Sequence, residues 1–118
     1  MAQQYLERLD ALLAPVARDL PPEAALEIKH FFSGAAAYAQ GRICITLTPV
    51  GLALKLPEAA RGRLAKTGAT PLRYFPKGPI KKDYVVVPRG FTDDRRKFKL
   101  WARKAIDHVL TPPKPKQR

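Results

Sequence analysis

The sequence has one cysteine, Cys44, in 118 residues, which excludes a disulfide within the chain. A lone thiol suits a reducing compartment, so a cytoplasmic location is expected. No apolar run approaches the ~18 residues that a membrane-spanning helix needs. The opening "MAQQYLERLD" lacks a basic stretch leading into an apolar one, so no signal peptide is expected. Histidine is also scarce. His30 and His108 stand far apart, with no cysteine or second histidine at ligand spacing, which argues against a metal centre. The loop "PKGPIKK" lacks the Gly-Lys-Ser/Thr order that cradles nucleotide phosphates. Asp93 and Asp94 are adjacent carboxylates, but at the start of a helix they answer its dipole. Glu23 and Glu27 fall in a connector and on an exposed strand face. No catalytic constellation and no cofactor site emerges, so enzyme is the weakest functional class.

Acidic residues are scarce in one half only. Residues 1–60 carry 5 Lys/Arg and 6 Asp/Glu, a net of −1; residues 61–118 carry 17 and 4, a net of +13. Such asymmetry points to a polyanionic partner for the second half. The alternative is a charged face that serves solubility alone.

Leu6, Leu9, Leu12 and Leu13, with Tyr5, recur at helical spacing, predicting a helix over 3–14 that ends or kinks at Pro15. "LEIKHFF" is ambiguous between helix and strand; the alternation of Leu26, Ile28, His30 and Phe32 assigns it to a strand. "AAAYAQGR" follows as a short strand into a Gln-Gly turn. "RICITLT" sets Ile43, Ile45 and Leu47 on one face and Cys44, Thr46 and Thr48 on the other. "LALKL" returns after "TPVG", so the two runs form an antiparallel hairpin. Pro57 is placed at the first position of a short helix, with Gly68 as its stop. "PLRYF" and "DYVVVP" read as two further strands. Thr92 is the expected N-cap of a last helix. Residues 1–110 are expected to form one domain, and 111–118, "TPPKPKQR", a disordered basic tail. The predicted fold class is α+β: an antiparallel β-sheet of about five to six strands, flanked by an N-terminal, a short middle and a C-terminal helix.

These residues resemble those of a known family, the N-terminal domain of the TfoX/Sxy competence regulators. That family opens its sheet with Met-Phe-Gly-Gly-Tyr-Gly-aliphatic-Tyr, and "FFSGAAAY" matches it at Phe32, Gly34 and Tyr38, with Ser33, Ala35 and Ala36 departing. Gly41, Leu52, Leu54 and Lys55 follow as in the family. Gly68, Pro71 and Tyr74 resemble its Gly-x-x-Pro-Phe-x-Tyr, with Leu72 in place of Phe. Tyr84 and Pro88 resemble its Tyr-x-x-x-Pro, and Asp94, Trp101, Ala102 and Ala105 its closing helix. The resemblance spans about residues 5–110. It implies an α+β domain without known catalysis. In the best-known members it implies a co-regulator of competence genes acting with the cAMP receptor protein. Those members carry a second, C-terminal domain; this chain is expected to be a single-domain relative.

The last helix holds the strongest constellation. At about 100° per residue, Phe98, Trp101, Ala102, Ala105, Ile106 and Val109 share the core face. Trp101 is therefore expected to be buried packing rather than a platform for bases. Arg96, Lys97, Lys99, Arg103 and Lys104 gather on the other side, with Leu100 exposed among them. Lys77, Lys81 and Lys82 add charge from the preceding loop. Closely spaced cations of this kind gain free energy from a phosphate backbone by releasing condensed counterions. None is arranged with Asn or Gln to read base edges, so backbone contact without sequence preference is expected. Two readings follow. One is a regulatory domain that contacts nucleic acid and acts with a regulatory protein. The other is a protein-interaction adaptor using Leu100 as its anchor.

Overall fold

The computed structural model describes residues 2–73, 78–88 and 90–110, without the side chains of Ala2, Gln3 and Lys82. The expected tail at 111–118 and the end of the expected strand "PLRYF" lie outside the described residues. The first helix, α1, runs from Ala2 to Arg18 and passes through Pro15 rather than ending there. Proline removes one backbone bond, the one owed to the Ala11 carbonyl. Leu9, Leu13 and Val16 are fully buried on either side of it and hold the helix in place through tertiary packing.

A short 3₁₀ turn at Pro22–Ala24 leads into β1, Leu26–Phe31. Leu26 and Ile28 pack against the core while Glu27 and Lys29 stay exposed and pair at 3.5 Å, so the alternation belongs to a strand. Next come β2, Gly34–Ala39; β3, Arg42–Thr48; and β4, Gly51–Lys55, each antiparallel to its neighbour. Gln40 and Gly41 join β2 to β3 with φ of +52° and +76°. Two positive φ values in a two-residue loop give the twist that antiparallel strands favour.

After the short helix α2, Glu58–Ala65, strand β5, Thr70–Leu72, lies at the sheet edge. Strand β6, Lys81–Val86, inserts between it and β4. The sheet order is β1-β2-β3-β4-β6-β5. A second 3₁₀ turn at Phe91–Asp93 delivers the chain to α3, Arg95–Leu110. The fold is thus α+β, with one six-stranded antiparallel sheet and three α-helices among the described residues.

Cross-strand register decides where the core sits. Ala35 stands opposite Leu47, which faces Leu52; Ala37 stands opposite Ile45, which faces Leu54, which faces Val85. Both rows share one apolar cluster with Leu9 and Leu13 of α1, Leu64 of α2 and Ile106 of α3. The helices therefore cover a single face.

The expected alternation of β3 fails at one point. Ala37 pairs with Ile45 but Tyr38 pairs with Ile43, so a bulge inserts Cys44. The bulge turns Cys44 into the core cluster, and Ile43 drops out of it.

Two capping expectations also change. Pro57 precedes α2 as its N-cap instead of occupying its first turn. Asp94, not Thr92, caps α3: its Oδ1 accepts the Lys97 amide at 3.0 Å. Thr92 is held within the 3₁₀ turn.

Gly34 is fixed by proximity. A Cβ built there would lie 2.1 Å from the Leu47 carbonyl oxygen and 2.8 Å from the Thr48 Cα. Both are backbone atoms of the neighbouring strand and cannot swing aside. Gly34→Ala should destabilise the fold by about 3 kcal/mol or more, at the upper end of single substitutions. Chemical denaturation measures it; a change below about 0.5 kcal/mol would mean that β2 and β3 separate without cost.

Candidate nucleic-acid interface

Helix α3 buries Phe98, Ala102, Ala105, Ile106 and Val109. Trp101 departs from the expected pattern. It is only half-buried, packing against the rim of the core. Its ring has the Arg63 guanidinium of α2 at 5.6 Å and the Lys104 ammonium at 5.7 Å from its centroid. Cations over an indole face gain about 0.5–1 kcal/mol at exposed sites, so the aromatic edge is a positioning surface for charge as well as packing. One turn earlier, Lys97 lies 5.1 Å from the Phe91 ring centroid. Leu100 is 56% exposed on the solvent side, as expected.

The other flank of α3 faces the end of α1. Lys99 pairs with Asp19, just past Arg18. The hydrogen bond from Lys99 holds the Asp19 carboxyl below the usual carboxylate range, and its charge adds to the effect, with Arg103 and Arg18 contributing further. Arg103 donates to Asp107 at 3.1 Å and to the Asp19 carbonyl at 3.5 Å. Both ion pairs are about half exposed, where such pairs contribute about 0–1 kcal/mol. Arg42 of β3 donates to the Val109 carbonyl at 2.8 Å, placing another cation at the negative end of the α3 dipole.

The single basic face expected from the sequence is therefore two flanks. Lys104 lies beside Trp101 toward Arg63 of α2, and Lys97, two turns earlier on the same stripe of α3, lies over Phe91. Lys99 lies toward α1 in an ion pair, with Arg103 tied across to the same Asp19; Arg96 is exposed in the first turn. Lys81 is exposed at the start of β6. Lys77 and the Lys82 side chain lie outside the described residues. Arg63 joins the Trp101 flank from α2, while Arg8 and Arg18 of α1 border a separate groove on the other side of α3. Helical periodicity within α3 had no means of finding them.

Nothing among the described residues assembles three or more His, Cys, Asp or Glu side chains around a metal position. No described helix is long and apolar enough to cross a membrane. Several of the described residues that carried the family resemblance fall at structural positions instead. Gly34 permits the close β2–β3 approach, Gly68 lies against Pro88, and Ala102 and Ala105 seat α3. A model of the TfoX N-terminal domain matches residues 19–109. The chain belongs to this family.

The TfoX N-terminal domain is a regulatory rather than a catalytic family. No curated protein matches the chain. The matched span begins at Asp19, so it takes in the whole sheet and most of α3 but leaves α1 before it.

Within this TfoX-type sheet Cys44 behaves as a buried hydrophobe. Its thiol donates weakly to the Ala37 carbonyl at 3.4 Å, and burial pushes its pKa up to about 12. A thiol kept protonated is a poor nucleophile. The unfolded chain deprotonates first as pH rises, so the contribution to stability is intact below the unfolded thiol's pKa, about 8.5, and is lost between there and about 12. Stability should fall between pH 8 and pH 10 more steeply in the natural sequence than in Cys44→Ala. Equal declines in denaturant titrations would contradict the thiol's burial. Half-burial of Trp101 sets a second expectation. Trp101→Ala should cost about 2 kcal/mol, less than the ~3–5 kcal/mol of a fully buried ring, as read by thermal or chemical unfolding.

Proposed function

We propose that this domain is a non-enzymatic regulatory module that meets the phosphate backbone of nucleic acid through α3 and acts with a regulatory protein. The observation that carries the reading is the charge of α3 itself. Six Lys/Arg and one carboxylate, Asp107, fall within Arg95–Leu110. Lys97 and Lys104 are held over aromatic rings rather than by carboxylates. Their ammonium groups reach phosphate without first breaking an ion pair. Lys99 and Arg103 exchange weak, exposed carboxylate contacts for phosphate at little cost. Membership of a regulatory family supports the same reading. The side chains on this surface are suited to charge rather than to base edges, so binding is insensitive to sequence.

The adaptor reading rests on Leu100, whose exposure amid charge suits a protein contact. It is preferred if no duplex binds at low salt and if capture of a protein partner survives nuclease treatment.

Titration with a random-sequence duplex at several salt concentrations tests the proposal. Four phosphate contacts give a log K against log salt slope of about −3.6. Lys97→Gln with Lys104→Gln should flatten that slope by about 1.8. Neither replacement strands a buried carboxylate, so melting temperatures should change little. Failure of any duplex to bind at low salt overturns nucleic-acid contact. A slope unchanged by the double substitution moves the contact off this flank.

A further inference from the structure

Between α1 and α3 lies an open groove of about 740 Å³, within the range of ligand-binding clefts. Ala11, Leu12 and Pro15 of α1 form its accessible apolar floor, with Val16 of α1 and Phe98 of α3 buried beneath them. Among the described residues, five cations stand around this floor, Arg8, Arg18, Arg95, Arg96 and Lys99, and no carboxylate lines it. The pairing of an apolar floor with a rim of one sign differs from the α2 flank, where charge sits on isolated rings. Phosphate backbone has no apolar group to fill such a floor.

Pro15 adds a second feature. Because it lacks an N–H, the Ala11 carbonyl has no helical donor. Both residues line the groove and are exposed.

We infer that this groove docks an acidic amphipathic helix of a partner protein. Its apolar side chains, spaced at i, i+3, i+4 and i+7, would lie on Ala11, Leu12 and Pro15. Its Asp and Glu side chains would meet Arg8 and Arg18 on one side and Arg95 and Arg96 on the other. The inference supplies the protein partner of the regulatory reading and rests on that reading for its role. The docking chemistry itself does not depend on contact with a duplex. Charge steers the encounter, and the apolar floor requires the partner's hydrophobic residues to share one face. Lys99 contributes from the end of the groove, already turned toward Asp19.

The probe is a fluorescein-labelled peptide of about 15 residues, with leucine at those four spacings and glutamate elsewhere. Its control has the same composition with the leucines dispersed around the helix. Fluorescence anisotropy with the full chain should show the amphipathic peptide binding about tenfold more tightly than the control. Arg8→Glu with Arg18→Glu should weaken that binding about tenfold or more and leave the duplex salt slope within about one unit. Lys97→Gln with Lys104→Gln should do the reverse, reducing duplex binding and sparing the peptide. Ala11→Glu, at an exposed position that leaves the core intact, should repel the peptide independently of the arginines. Melting curves establish that each variant is folded. Equal binding of both peptides would reduce the groove to general charge attraction and overturn the inference. So would no binding of either, or an Arg8/Arg18 variant that loses the duplex but keeps the peptide. Loss of duplex binding by the natural sequence, with peptide discrimination intact, would overturn the nucleic-acid reading alone.

Discussion

Ala35, Ala37 and Ala39 project from β2 into the core, where neighbouring β3 offers Ile45 and Leu47 at the same level. That difference in side-chain size governs how the helices are seated. Above β1 and β2, α1 supplies the bulk itself, through Leu9, Leu13 and Val16. Above β3 and β4 the strands supply the bulk, and α3 answers with Ala102 and Ala105 at its centre. Large meets small on both sides, as close packing requires. The Gly34 contact with β3 keeps this arrangement in register. A one-residue slip would carry the alanines away from α1 and send the row containing Thr46 toward the helices.

This seating also determines how charge is displayed. With α3 anchored through Phe98, Ala102, Ala105, Ile106 and Val109, its cations must emerge on both sides of the ridge marked by Leu100. On the α2 side they meet aromatic rings, and on the α1 side they meet Asp19. An ammonium over a ring keeps its full charge available to a ligand. One beside a carboxylate is partly neutralised until a stronger anion arrives. The two flanks therefore differ in readiness for phosphate, although their composition is nearly the same.

Much of the fold was legible because period and punctuation agreed. The β3–β4 hairpin, the Gln40–Gly41 turn and the core stripe of α3 each rested on alternation or helical spacing together with a suitable turn or cap. The misses share a cause: a tertiary term that exceeded a local one. Burial of Leu13 and Val16 carried α1 through Pro15. The bulge opposite Ala37 and Tyr38 rotated Cys44 into the core, against strict alternation. Asp94 outcompeted Thr92 because an intervening 3₁₀ turn moved the start of α3. The cations of α3 were legible one by one, but their partners were not. Asp19 and Arg63 lie far from them in sequence and arrive only through the packing of α1 and α2.

Trp101 shows why the same residue supports both a stability role and a display role. Fully buried, its ring would add apolar area to the core and leave Lys104 free to wander. Fully exposed, it would forfeit packing against the core. Half-buried, one part of the ring closes the core edge while its accessible surface attracts Arg63 and Lys104. The entropy of two long side chains is thereby partly spent before any ligand arrives, which favours later binding. On the α1 flank the equivalent ordering comes from Asp19, and it leaves Ala11, Leu12 and Pro15 of the groove uncovered. A family fold built from one sheet and one closing helix thus presents two chemically distinct surfaces. The second depends on α1, the segment that precedes the family match.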